Sequence, residues 1–272
     1  MDSIPAWFSG IRLNWAENML FSSNPSLKRA TDIALTEVRE GCTSIRDISY
    51  GELCSRTAHF ASAMRAHNVR KGDRIAVVAG NSRDTLAIWL ATASVGGIFS
   101  SSSTDMGSKG ILERLRQVRP KWCFVDEGAV YNGKKVDLRE KMGEIVAGME
   151  GIEEFEGIVS VPRWTEKEGG EVDVSGVKRA RSLREFLGKG KEGEEIRFER
   201  VGFNEPFLIV YSSGVSGIGS EVGEVDVLTV DRRLDLRSVS FMEQAMSFFR
   251  LGKSSGCIKT GTKTQWLCST PR

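Results

Sequence analysis

Short apolar runs alternate with amphipathic stretches along most of this chain, and that alternation constrains the fold more than any other feature. RIAVVA at 74–79, KWCFV at 121–125, IVSV at 158–161 and PFLIV at 206–210 lack the polar alternation of a half-solvated strand. Such runs suit strands covered on both faces. Between them, apolar residues recur at helical spacing. Leu53, Phe60, Ala61 and Met64, for example, share one face of a helix expected over 50–68. Strand and helix taken in turn predict an α/β fold with a largely parallel sheet flanked by helices.

The punctuation between elements agrees. Residues 32–38 read as a strand, with 44–49 as its hairpin partner. Lys71-Gly72-Asp73 reads as a turn. Asn81-Ser82 offers a cap, and Asp84 places negative charge in the first turn of a buried helix over 85–95 that Gly96-Gly97 ends. Ile98-Phe99 opens a strand ahead of a serine run at 100–103. Helices are expected over 107–118, closed by Pro120, and over 136–149. From 165 to 199 Gly, Glu, Lys and Arg dominate, which predicts a solvated excursion with one short helix at 182–187.

Charge and composition exclude several classes. The 272 residues carry 38 basic and 36 acidic side chains, a net charge of +2, so there is no basic footprint for nucleic acid or a membrane surface. Five cysteines, odd in number and never at CxxC spacing, argue against a disulfide framework or a zinc site and for reduced thiols in the cytoplasm. His59 and His67 fall on a helix without a cysteine or carboxylate cluster, which predicts surface or half-buried roles and no metal site. The N-terminus lacks a basic segment followed by an apolar run. The weakly polar run at 85–99 is too short to span a bilayer.

One loop carries chemistry. After the strand at 207–210 comes Tyr211-Ser212-Ser213-Gly214-Val215-Ser216-Gly217. Glycines let the backbone turn tightly and aim N–H groups inward, and serine hydroxyls add donors without bulk. That combination suits phosphate, although its spacing is neither GxxxxGK[ST] nor GxGxxG. A Ser/Gly turn holding no ligand is the alternative, and the loop alone leaves both readings open.

YSSGVSG resembles the phosphate loop of the adenylate-forming, or AMP-binding, superfamily of acyl-CoA synthetases. WFSGIRLNWAENML at 7–20, GGIFSSSSTDMG at 96–107 and ILERLRQVRPKWCFVDEGAVYNGKKVD at 111–137 extend the resemblance over about 4–218. The last two are most similar to the acetoacetate-activating members. The resemblance implies residues 1–218 as a partial N-terminal domain of the adenylate-forming fold. It implies ATP, Mg2+ and CoA, a short carboxylic acid joined to CoA through an acyl-adenylate, and a place in lipid and ketone-body metabolism. Ser212, Ser213, Gly214, Val215, Ser216 and Gly217 then hold the outer phosphates of ATP, with Val215 standing where the family has a threonine.

The resemblance stops inside the motif. Gly219 and Ser220 stand where the family continues with Pro and Lys. Relatives carry the adenine and ribose contacts, the Mg-binding glutamate and a catalytic lysine further on, so no catalytic residue is identified here and a catalytically incomplete fragment is expected. The tail at 219–272 supports two readings. Val222, Val225, Val227, Leu228 and Val230 suit a strand, and Val239, Met242, Met246 and Phe249 share a helical face that could patch the core. Alternatively the tail is not native coding sequence. A non-catalytic module that binds nucleotide, or pairs through an unfinished sheet edge with a full-length relative, is the competing functional reading.

Overall fold

The computed structural model describes residues 8–39, 44–131, 133–163 and 173–211, with short strands at 225–229 and 257–260. The chain opens with β1 (Arg12–Leu13) and α1 (Trp15–Leu20). Asn14 caps α1, accepting from the Glu17 N–H at 3.3 Å, and its amide donates to Ala93 O and Glu199 O at 2.8 Å. The hairpin expected early in the chain is β2 (Ile33–Val38) and β3 (Ile45–Ser49), paired antiparallel with Leu35 opposite Ile48. Ser49 caps α2 (Tyr50–Ala66), whose Leu53, Phe60, Ala61 and Met64 are all buried.

Then follow β4 (Arg74–Val78), α3 (Arg83–Ser94), β5 (Ile98–Ser102), α4 (Ser108–Val118) and β6 (Trp122–Asp126). Ser82 caps α3 by accepting from the Thr85 N–H, and Gly96 turns beyond its end at φ +73°. The serine run, expected to follow a strand, lengthens β5 instead through Ser102.

A helix over 136–149 is expected, yet α5 covers only Arg139–Gly148. Residues before it form a hairpin, β7 (Gly128–Tyr131) with β8 (Lys134–Asp137). Gly133 at its tip has φ +74°, a conformation that glycine reaches without strain.

After β9 (Gly157–Val161), the polar stretch is only partly solvated. It supplies β10 (Ala180–Ser182) to the sheet and α6 (Leu183–Leu187), which a Ser182–Glu185 capping box starts. Phe186 of α6 is fully buried. β11 (Val201–Gly202) pairs with β1, and β12 (Pro206–Tyr211) completes the parallel set. In the tail, β13 (Val225–Thr229) lies antiparallel along β12, so that sheet edge is occupied. β14 (Cys257–Thr260) lies antiparallel along β2. The helix expected around 239–249 lies outside the described residues.

The main sheet runs β10-β9-β6-β4-β5-β12-β13, and every pairing but the last is parallel. One face carries α1, α2, α3 and α6 over a core rich in rings. Trp15 stacks on Trp89 at 4.5 Å and on Phe207 at 5.4 Å. The other face carries α4 and α5 over a smaller aliphatic core of Ile111, Leu115, Met142, Ile145 and Met149. Each such side chain contributes about 1.5–3 kcal/mol of burial.

His67 is more buried than expected. It stacks on Phe186 at 4.2 Å with Nε2 3.2 Å from the Phe186 carbonyl, and burial lowers its pKa. His59 is half-buried, with Nε2 3.2 Å from Leu187 O. Among the described residues no helix is long and apolar enough to cross a membrane, and no group of three His, Cys, Asp or Glu could hold a metal ion.

Candidate functional site

Parallel pairing gathers the C-terminal ends of β4, β5, β6, β9 and β12 at one edge of the sheet. From β4 the chain passes to α3 on the ring-rich face. From β6 it passes to α5 on the aliphatic face. Diverging connections open a crevice between neighbouring strands, the place where open α/β sheets bind ligands.

The loop singled out in the sequence leaves this same edge. Leu208 and Ile209 pair with Phe99 and Ser100 of β5, so β12 delivers the loop beside the end of β5. Tyr211, the last described residue of β12, roots it. Its hydroxyl donates to Arg114 O at 3.1 Å and to Gln117 Oε1 at 3.3 Å, and the Arg114 guanidinium lies over its ring at 4.5 Å. Ser212, Ser213, Gly214, Val215, Ser216 and Gly217 themselves lie outside the described residues. The neighbouring loop after β5 is pinned by α5, where Lys141 Nζ donates to Thr104 O and Met106 O at 2.8 Å.

A second group at this edge was not legible as a site in the sequence. Asp126, 2% exposed at the end of β6, accepts the Gly80 N–H at 2.8 Å across the crevice. Desolvation pushes its pKa up to about 7, against the opposing pull of Arg163 and the Gly80 N–H. Glu127 accepts the Arg163 N–H at 2.7 Å, and Arg39 donates to Arg163 O at 2.7 Å. Arg163 Nη1 sits 4.0 Å from Glu37, tying the small β2–β3 sheet to the main one. Beside them Arg56 grips Asp84 in a fork, Nε to Oδ1 at 2.9 Å and Nη2 to Oδ2 at 2.8 Å. Burial raises the Asp84 pKa, but Arg56 and Arg83 outweigh it and hold the carboxyl below its ordinary range. These charges bond largely to one another and frame the crevice.

Doubly wound topology with a crevice at the strand ends defines an open α/β protein of the kind that binds ligands at that edge. The family model described as AMP-binding enzyme matches residues 27–217, and the chain belongs to that family. It is similar to acetoacetyl-CoA synthetases. The enzyme of Xenopus tropicalis is 38% identical over 217 residues, and that of Rattus norvegicus 37% over 216, each match covering 79% of this chain and 31% of the relative. The solved acetoacetyl-CoA synthetase from Streptomyces lividans superposes with a TM-score of 0.67 at 26% identity, covering 83% of this chain and 31% of that one. A Brucella canis acyl-CoA synthetase, at TM-score 0.56 and 13% identity over 80% of this chain and 34% of its own, shares the fold. The chain thus spans about 31% of the length of the curated relatives it matches.

Proposed function

We propose that this chain carries the phosphate-binding portion of an acid–thiol ligase whose whole form joins acetoacetate, or a similarly short carboxylic acid, to CoA. The observation that carries this reading is the family match running through Gly217, which takes in a Ser/Gly loop leaving the C-terminal edge of the parallel sheet. ATP supplies the α-phosphorus that a substrate carboxylate oxygen attacks, with pyrophosphate leaving; the CoA thiol then displaces AMP. Ser212, Ser213, Gly214, Ser216 and Gly217 orient the outer phosphates with hydroxyls and backbone N–H groups, and Val215 contributes its backbone alone. None of the described residues is assigned to Mg2+, which this class of reaction takes up together with the phosphates of ATP. Cys54 and Cys123 are free thiols, which supports a reducing, cytoplasmic setting.

On this reading the chain binds nucleotide without turning it over. Mg-ATP at about 100 times its dissociation constant adds about 2.7 kcal/mol of stability, visible as a raised melting temperature. Ser213→Ala together with Gly214→Ala abolishes that rise. Acetoacetate-dependent ATP–pyrophosphate exchange stays at background, and Gly219→Pro with Ser220→Lys does not restore it. Exchange by the chain alone sinks the claim of incompleteness. A melting temperature indifferent to Mg-ATP sinks the assignment of the loop. We take the tail after Ile218 as non-native coding sequence; a genomic reading in which another frame or exon continues with Pro-Lys supports this, and an uninterrupted native frame overturns it.

A further inference from the structure

At the opposite end of the sheet, where the strands begin, the C-terminal half of α2 and the segment 189–197 enclose a cleft of about 250 Å³. Four cations line it, Arg65, Lys189, Lys191 and Arg197, against two carboxylates, Glu194 and Glu195, for a net charge of +2. The walls are fixed. Ser62 Oγ accepts the Lys191 N–H at 2.9 Å and donates to Glu194 Oε2 at 3.0 Å. Glu194 Oε1 takes Arg197 at 2.7 Å, and Arg65 Nη2 donates to Arg197 O at 2.7 Å. Gly190 lies so tightly on α2 that a Cβ there would meet Ala63 N at 2.7 Å.

That bonding satisfies Glu194 and Ser62 but leaves cations over. Among the described residues the Lys189 and Lys191 ammonium groups have no ion-pair partner, and none of the ion pairs of the fold uses Arg65. Burial lowers the Arg65 pKa and the neighbouring Arg197 charge lowers it further, a repulsion that a bound anion would relieve. Size then decides the ligand. At about 250 Å³ the cleft falls below the roughly 300 Å³ at which pockets for drug-sized molecules begin. A nucleotide is too large to be enclosed, while phosphate or pyrophosphate fits.

We propose that the cleft between α2 and the 189–197 segment is a binding site for a compact anion of two or more charges, of the phosphate or pyrophosphate class. It is separate from the loop at 212–217 and does not depend on the function assigned to that loop.

The test titrates the full chain with inorganic pyrophosphate at constant ionic strength, following backbone amide resonances. Amides of Ser62 and 189–197 shift together and saturate, and Lys189→Ala with Lys191→Ala weakens that response by about ten-fold or more, as expected for two lost charge-assisted contacts. Ser213→Ala with Ser216→Ala leaves it in place, and the lysine variant keeps its stabilisation by Mg-ATP. Unmoved amides at 189–197, or unchanged affinity in the lysine variant, overturn the site. Loss of this response in the serine variant, with retention in the lysine variant, also overturns it while leaving the loop assignment standing.

Discussion

The two ends of the central sheet treat charge in opposite ways. Where the strands finish, Asp126 and Asp84 are buried and Arg163 is largely so, and each is tied to groups on another element. Where they begin, Lys71, Lys189, Lys191 and Arg197 stay in water, and only some are paired. Buried charges are costly to strand, whereas exposed pairs are screened and contribute little. The end that shapes the crevice is therefore held rigidly, while the other end tolerates substitution and has cations to spare.

Arg56→Ala probes the rigid end hardest. It takes the fork from the buried Asp84 carboxylate, leaving Arg83 Nε at 3.1 Å as its remaining cation, and removes a guanidinium lying 4.9 Å over the Phe60 ring. We expect a loss of about 3 kcal/mol in urea unfolding at pH 7. A loss no larger than that of an exposed pair would erase the contrast between the two ends.

Gly190→Ala is the one large effect expected at the other end, because it acts through packing. With the new Cβ 2.7 Å from Ala63 N, the segment must lift from α2, costing about 2 kcal/mol by the same unfolding measurement. An unchanged midpoint would show that the segment is not seated there.

Asp126→Asn sharpens the comparison through pH. The wild-type carboxyl has a folded pKa of about 7, raised from the ordinary carboxylate value. The folded state thus holds its proton more tightly than the unfolded state does. That contribution is complete below the unfolded pKa of about 3.9 and is lost as pH rises through the folded one. Asparagine lacks this loss and can still accept the Gly80 N–H. Relative to wild type, the variant gains stability progressively as pH rises from 4 to 8. A difference that is flat with pH would mean Asp126 is ionised throughout. The smallest effect belongs to Glu205→Ala at the solvated end. It breaks the exposed Lys71–Glu205 pair and should move stability by less than about 0.5 kcal/mol, with even that vanishing in high salt.

Sequence patterns fixed the parallel sheet because buried strands and capped helices leave local marks, as Ser82 and Ser182 show. At the β7–β8 hairpin two local signals compete: the Asn-Gly pair at 132–133 favours a hairpin, while Val136 also fits the helical period of α5. Charge in the 165–199 stretch concealed Phe186, which finds its core through contacts with His67, Trp122 and Phe124 far away in sequence. Of the site, the Ser/Gly loop is visible as composition. The Asp126, Arg163 and Gly80 cluster is not, because only the pairing of β4, β6 and β9 brings those residues side by side.

The stack of Trp15 on Phe207 has a consequence for how the molecule is made. Helix α1 leaves the ribosome long before β12, the last strand of the parallel set, on which part of its seat lies. At about 5–20 residues per second, the intervening chain takes roughly ten to forty seconds to synthesise. Through that interval Trp15 can dock on Trp89 but not on Phe207, and β1 waits for β11. The nascent domain therefore closes like a clasp, β1 and α1 fastening fully only when the strand that roots the Ser/Gly loop has emerged.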